Sequence, residues 1–104
     1  MSTGRAAEAE LDALLAKEAP GADEVEAALT HGHAAALELE ANRLRLHRKL
    51  ERASSINDPG RNGVIVQLRE EIAAVTARMR SLQERLSEAG SRFGPRPRFM
   101  DRAG

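Results

Sequence analysis

Residues 36–53 read ALELEANRLRLHRKLERA, and this stretch decides the fold that the sequence predicts. When successive side chains are set 100° apart, as in an α-helix, leucines lie on both flanks and polar side chains run between them. The first flank is Leu39, Leu46 and Leu50, and the second is Leu37 and Leu44. The polar row consists of Glu40, Arg43, His47 and Glu51. Ionisable groups between two leucine edges indicate either a paired network at a helix–helix contact or a surface that binds a polar ligand or a partner.

The composition favours long helices over a globular core. The chain has 104 residues, which is enough for one domain, but only 41% are apolar and 2% are aromatic. Charged residues make up 31%, and Ala, Leu, Glu and Arg dominate, as is typical of helices that pack along seams. We therefore expect an all-α protein built as an antiparallel helical hairpin, a coiled coil, with a short N-terminal helix and a flexible C-terminal tail.

The charge is zero overall but unevenly placed. Residues 1–41 contain 2 basic and 9 acidic side chains, whereas residues 42–104 contain 14 and 7. A net charge of zero argues against a protein that binds nucleic acid through bulk positive charge. The two halves can instead pair within the molecule, between copies, or each with a partner.

Other features narrow the class further. There is no cysteine, so disulfides and thiolate metal sites are excluded. The first residues lack the hydrophobic run of a signal peptide, and no window approaches the roughly 18 consecutive apolar residues of a membrane span. We expect a cytoplasmic protein without membrane contact.

The chain divides into three predicted parts. Residues 1–22 form a short helix and a linker, residues 23–90 form the hairpin with its turn at about residues 55–63, and residues 91–104 form a basic flexible tail. Asp23 and Glu26 have the spacing of a capping box at the start of the second helix. Gly32 predicts a kink or fraying in that helix, and Gly90 predicts the end of the third helix.

The third helix carries the clearest seam. Its apolar residues follow alternating spacings of three and four, which is the a/d pattern of a coiled coil. They are Ile65, Leu68, Ile72, Val75, Met79, Leu82 and Leu86. We expect this seam to pack against Leu39, Leu46 and Leu50. The apolar arc of the second helix is wider, which predicts a second neighbour: the first helix or another subunit, in a homo-oligomer or a hetero-complex.

A band of basic residues on the second helix has two interpretations. It consists of Arg43, Arg45, Arg48, Lys49 and Arg52. Folding the chain back places residue i near residue 118 − i, so Glu70 and Glu71 could form exposed ion pairs with the band, each worth about 0.2–1 kcal/mol. Alternatively, because two carboxylates cannot neutralise five cations, a phosphate-bearing ligand or an acidic protein surface completes the balance.

The polar row resembles the signature helix of the RsiG-like coiled-coil anti-sigma factors, whose motif reads Glu-x3-Ser-x2-Arg-x3-Gln-x3-Asp. Arg43 matches this motif, His47 stands in place of Gln and Glu51 in place of Asp, whereas Ala36 and Glu40 replace its Glu and Ser. The resemblance implies a hairpin that binds a sigma factor. It also implies cyclic di-GMP as a ligand, with Arg43 on a guanine, Glu51 accepting from its Watson–Crick edge, and two copies around the ligand.

Catalytic and metal-binding patterns are missing from the sequence. His31 and His33 diverge by 200° on a helix, and no Ser/His/Asp arrangement or phosphate-binding loop is present. We expect no catalytic residues, no metal and no cofactor. The predicted function is that of a regulatory interaction protein that binds a protein partner along the middle helix. The alternative is a structural coiled-coil assembly or adaptor protein without a ligand.

Overall fold

The computed structural model describes residues 4–55 and 59–94, and within these ranges the regular structure is entirely helical. Helix α1 spans Arg5–Leu15, α2 spans Ala22–Ser55 and α3 spans Asn62–Phe93, with a short 3-10 turn at Pro59–Arg61 leading into α3. The predicted all-α class is confirmed. The molecule measures 63 × 29 × 15 Å, and none of the helices in the described ranges combines the length and apolar character that crossing a membrane requires.

The two long helices, of 34 and 32 residues, pack along one another. An early residue of α2 lies beside a late residue of α3, since Gly32 contacts Leu86, which is the residue that the 118 − i rule assigns to it. Late α2 and early α3 share a second buried cluster with Ala53 and Leu68. All ten residues of the predicted seam lie in the two clusters or pack against them: Leu39, Leu46, Leu50, Ile65, Leu68, Ile72, Val75, Met79, Leu82 and Leu86.

Helix α1 packs across α2 and α3 at one end of the pair. It buries Ala7, Leu11 and Leu14, whose spacings of four and three residues place them on one face of the helix. They join the larger of the two clusters, which also holds Leu39 and Leu82. The first helix is therefore one of the two neighbours of α2, and it covers only the early part of that helix.

The start of α2 differs from the predicted capping box of Asp23 and Glu26. The carbonyl of Gly21 accepts a hydrogen bond from the Val25 N–H at 3.1 Å, which makes Gly21 the N-cap. The Glu24 Oε1 accepts from the Gly21 N–H at 3.1 Å, so the reciprocal carboxylate is Glu24. The prediction was wrong by two residues because glycine can serve as an N-cap without a side-chain oxygen.

The fraying predicted as one possibility at Gly32 is also wrong. Helix α2 continues through this residue, and Gly32 is buried. A Cβ built on it would lie 2.5 Å from the Leu86 Cδ2 and 3.2 Å from the Leu11 Cδ1. Gly32 thus lies where all three helices approach one another, and the missing side chain makes that approach possible.

The predicted boundaries around α3 need two corrections. The 3-10 turn begins at residue 59 and α3 at residue 62, both inside the predicted turn of residues 55–63, of which residues 56–58 lie outside the described residues. Gly90 does not end the helix, which continues to Phe93. It ends at Gly94, whose extended backbone (φ −69°, ψ 162°) is the conformation required before a proline such as Pro95. The predicted tail thus begins with helical residues 91–93, and residues 95–104 lie outside the described residues.

Candidate partner-binding groove

A groove lies between late α2 and early α3, at the end of the pair that α1 does not reach. Its floor is apolar and contains Ala53 and Leu68, both buried. Val64 lies at its edge and is 46% exposed. The groove has a volume of about 540 Å³ and is lined by Lys49, Arg52, Ala53, Arg61, Val64, Gln67, Leu68 and Glu71. We call this surface the basic groove.

The cations of the basic groove have no carboxylate partner among the described residues. Lys49, Arg52 and Arg61 form no ion pair within 4 Å in that part of the chain. Glu71 instead accepts a hydrogen bond from the Gln67 Nε2 at 3.4 Å. The predicted ion pairs of the basic band with Glu70 and Glu71 are therefore wrong. Three cations stand against one carboxylate above an apolar floor.

At the opposite end of the molecule, basic groups of α2 and α3 contact the carboxylates of α1. Arg85 of α3 donates through its Nε to the Asp12 Oδ1 at 2.7 Å, and its Nη1 lies 3.6 Å from the Glu8 Oε2. The hydrogen bond to Asp12 raises the pKa of Arg85, and the Glu8 charge adds to this effect. The imidazole of His31 lies 2.8 Å from the Glu10 carboxylate. Acidic α1 is thus held by basic groups of α2 and α3.

The basic groove lies on the same side of the helix pair as α1. Lys49 follows His31 by 18 residues, which is five complete helical turns, so the two side chains point in the same direction from α2. On α3, the same interval separates Gln67 of the groove from Arg85. The groove therefore continues the surface on which α1 lies, shifted by about 27 Å along the pair.

The structure does not gather the predicted polar row into one site. Glu40 and Arg43 line a smaller groove of about 280 Å³ together with Thr76, Met79, Arg80 and Gln83. His47 is exposed and lies outside this groove, and Glu51 lies on the outward surface of α2 among Arg45, Arg48, Lys49 and Arg52. None of the four forms a side-chain hydrogen bond or ion pair with another described residue.

Sequence reasoning identified Lys49 and Arg52 as part of a basic band but missed the α3 side of the groove. Arg61 stands in a run of turn residues, where a cation has no periodic neighbour to mark it. Val64 precedes the seam, which begins at Ile65, and so has no place in the periodic pattern. The useful signal was the 118 − i pairing, which places position 64 near position 54 and so beside Arg52 and Ala53.

Comparisons give no family to which this geometry can be assigned: no protein-family description, no curated protein and no solved structure matches the chain. In the described residues, no three His, Asp or Glu side chains come together as metal ligands would. The interpretation of the groove therefore rests on its shape and charge.

Proposed function

We propose that this protein is a non-enzymatic interaction module, an antiparallel coiled-coil hairpin whose basic groove binds an acidic amphipathic helix of a partner protein. The observation that carries the proposal is the set of Lys49, Arg52 and Arg61 above the apolar floor, three cations that form no ion pair with any residue in the described ranges. An apolar floor accepts apolar side chains, and cations at its edge accept carboxylates.

Helix α1 is an internal example of such a ligand. It has acidic residues at its polar edge, Glu8, Glu10 and Asp12, and an apolar face with Leu11 and Leu14. It lies on the same side of α2 and α3 as the basic groove, and its carboxylates contact basic groups there. A second helix of this character would lie end to end with α1 along the pair, with its carboxylates beside Lys49, Arg52 and Arg61.

The resemblance to anti-sigma factors gives this proposal its most concrete form, in which the partner is a sigma factor and the protein regulates transcription. The cyclic di-GMP ligand implied by the same resemblance has less support. Glu40 and Arg43 share a groove of about 280 Å³. His47 and Glu51, the other half of the motif, lie outside it. The alternative remains a structural coiled-coil adaptor that uses only the apolar seam.

The test is affinity capture from the native host with the tagged full chain, followed by cross-linking to locate the contact. The groove variant is Lys49→Glu/Arg61→Glu. Its matched control is Arg5→Glu/Arg69→Glu, which makes the same charge change at two exposed arginines outside both grooves. A third variant, Arg43→Ala/Glu51→Ala, tests the polar row.

The expected result is a single partner that is lost in the groove variant and retained in the control. Cross-links from an acidic helix of that partner should map to Lys49. Loss only in the polar-row variant would transfer the binding site to Arg43 and Glu51. If the groove variant and the polar-row variant both retain every partner, the proposal that the groove binds the partner is rejected and the structural adaptor remains.

A further inference from the structure

A second apolar surface of α2 faces away from α3. Leu37 is 68% exposed and Leu44 is 49% exposed. The two leucines are seven residues apart, which places them on one line along the helix, and Leu37 points about 200° away from buried Leu39. The other positions on that line are small and exposed. We call the whole set the outer stripe: Ala27, Thr30, Ala34, Leu37, Ala41 and Leu44.

The outer stripe has the spacing of a coiled-coil seam. Its positions alternate by three and four residues over 18 residues, or about 27 Å of helix. Large and small side chains are mixed along it, so leucines of a facing helix can pack over alanines. Within the described residues, Leu37 and Leu44 remain largely uncovered, whereas Ala34 lines a groove beside α1.

The distribution of charge along α2 indicates which helix can pack on the outer stripe. Residues 22–40 contain five acidic side chains and no lysine or arginine, and residues 41–55 contain five basic side chains with Glu51 as the one acid. Two α2 helices in antiparallel orientation would place each acidic half beside the basic half of the other. A parallel pair would place five cations against five cations, which is unfavourable.

We propose that one part of the outer stripe, Leu37, Ala41 and Leu44, packs on the same three residues of a second copy of this chain in antiparallel orientation. The earlier part of the stripe then lies along residues 48–55 of the other copy. The two-fold axis passes close to Ala41, midway between Leu37 and Leu44, so that Leu37 of one copy packs near Leu44 of the other. The opposite charges of the two halves make association weaker at high salt.

The first experiment is sedimentation equilibrium of the full chain and of the Leu37→Gln/Leu44→Gln variant. Glutamine keeps the helix propensity and the charge, so the variant should fold with an unchanged helical circular dichroism spectrum. Each dimer loses four leucines, and at about tenfold for each the dissociation constant of the dimer should rise roughly ten-thousandfold. Val64→Gln/Val66→Gln is the control, because these valines have similar exposure, 46% and 54%, but lie on α3.

A wild-type protein that stays monomeric at all accessible concentrations would overturn the inference. So would a dimer that survives in the Leu37→Gln/Leu44→Gln variant and is lost in the valine control. Neither result depends on capture of a partner by the groove, so this inference and the proposed function can fail separately.

The second experiment tests orientation. Because the chain has no cysteine, single cysteines report specific contacts, and a disulfide needs Cα atoms within about 7 Å. Ala41→Cys should cross-link to itself. Ala34→Cys should not, but should cross-link when mixed with Arg48→Cys. Equal self-cross-linking of Ala34→Cys and Ala41→Cys would indicate a parallel pair and overturn the antiparallel arrangement.

Discussion

Gly32 of α2 lies directly against Leu86 of α3, and a Cβ at Gly32 would come within 2.5 Å of the Leu86 Cδ2. The same Cβ would lie 3.2 Å from the Leu11 Cδ1, and Leu11 and Leu86 are both buried. Neither leucine can move away without displacing other core side chains. The contact therefore fixes how closely the three helices can approach.

Gly32→Ala should destabilise the protein despite the better helix propensity of alanine. The propensity gain is about 1 kcal/mol, whereas overpacking a filled core costs about 1–3 kcal/mol. We expect a net loss of up to about 2 kcal/mol in the free energy of unfolding, measured by urea denaturation. The control is Gly90→Ala, also within a helix, where a Cβ would meet nothing within 4 Å. This variant should gain up to about 1 kcal/mol, and equal effects at the two sites would contradict the packing role of Gly32.

Gly32 also shows where sequence reasoning reaches its limit. Periodicity predicted the helices well, because an apolar stripe is a property of one helix and can be read from one segment. A glycine in that stripe counts as an interruption. Its true role depends on Leu11 and Leu86, which belong to the other two helices and whose distance from Gly32 is set only by the folded chain.

The polar contacts were harder to predict than the apolar ones. Arg85 bonds to Asp12 across 73 residues of sequence, and neither residue belongs to a motif. The ion pairs predicted between the basic band and Glu70 or Glu71 are wrong because the 118 − i rule gives the position of a residue along the helix pair. It does not give the direction in which the side chain points. The start of α2 differs from the prediction by two residues and the end of α3 by four, because Gly21 and Gly94, rather than Asp23 and Gly90, have the required backbone positions.

Arg85→Gln should loosen α1. The variant removes the hydrogen bond to Asp12 and the charge beside Glu8, and because these groups are partly exposed we expect a loss of about 1 kcal/mol. Amide hydrogen exchange should rise in residues 5–15 more than in the middle of α3. Arg69→Gln is the control, since Arg69 is an exposed residue of α3 that forms no ion pair in the described part of the chain. Similar exchange in both variants would reject the role of Arg85.

Glu24 should titrate below the ordinary range for a glutamate. The hydrogen bond from Lys17 lowers its pKa most, and the hydrogen bond from the Gly21 N–H lowers it further. A lowered pKa in the folded state contributes stability above the unfolded pKa, and this contribution is lost as the pH falls through the folded value. An NMR titration of the Glu24 carboxyl should show the lowered pKa in the wild type.

Lys17→Gln should move this pKa back toward its ordinary value while the Gly21 bond keeps part of the shift. The same substitution should also weaken the dependence of the free energy of unfolding on pH in the acidic range. An unchanged Glu24 titration in Lys17→Gln would show that the ion pair at the α1–α2 linker does not form in solution.

Leu11→Ala and Leu82→Ala should separate the docking of α1 from the stability of the long helices. Both leucines are 0% exposed, and truncation of a buried leucine typically costs about 2–5 kcal/mol. For Leu82, which belongs to the long helix α3 itself, the full cost should appear in global unfolding. For Leu11, the loss of stability cannot exceed the free energy with which α1 docks on the long helices, because α1 detaches once that free energy is lost.

Hydrogen exchange in Leu11→Ala should therefore reach the unfolded rate in residues 5–15 while α2 and α3 near Leu46 and Leu68 stay protected. Uniform loss of protection in both variants would instead show that α1 and the long helices unfold as one cooperative unit.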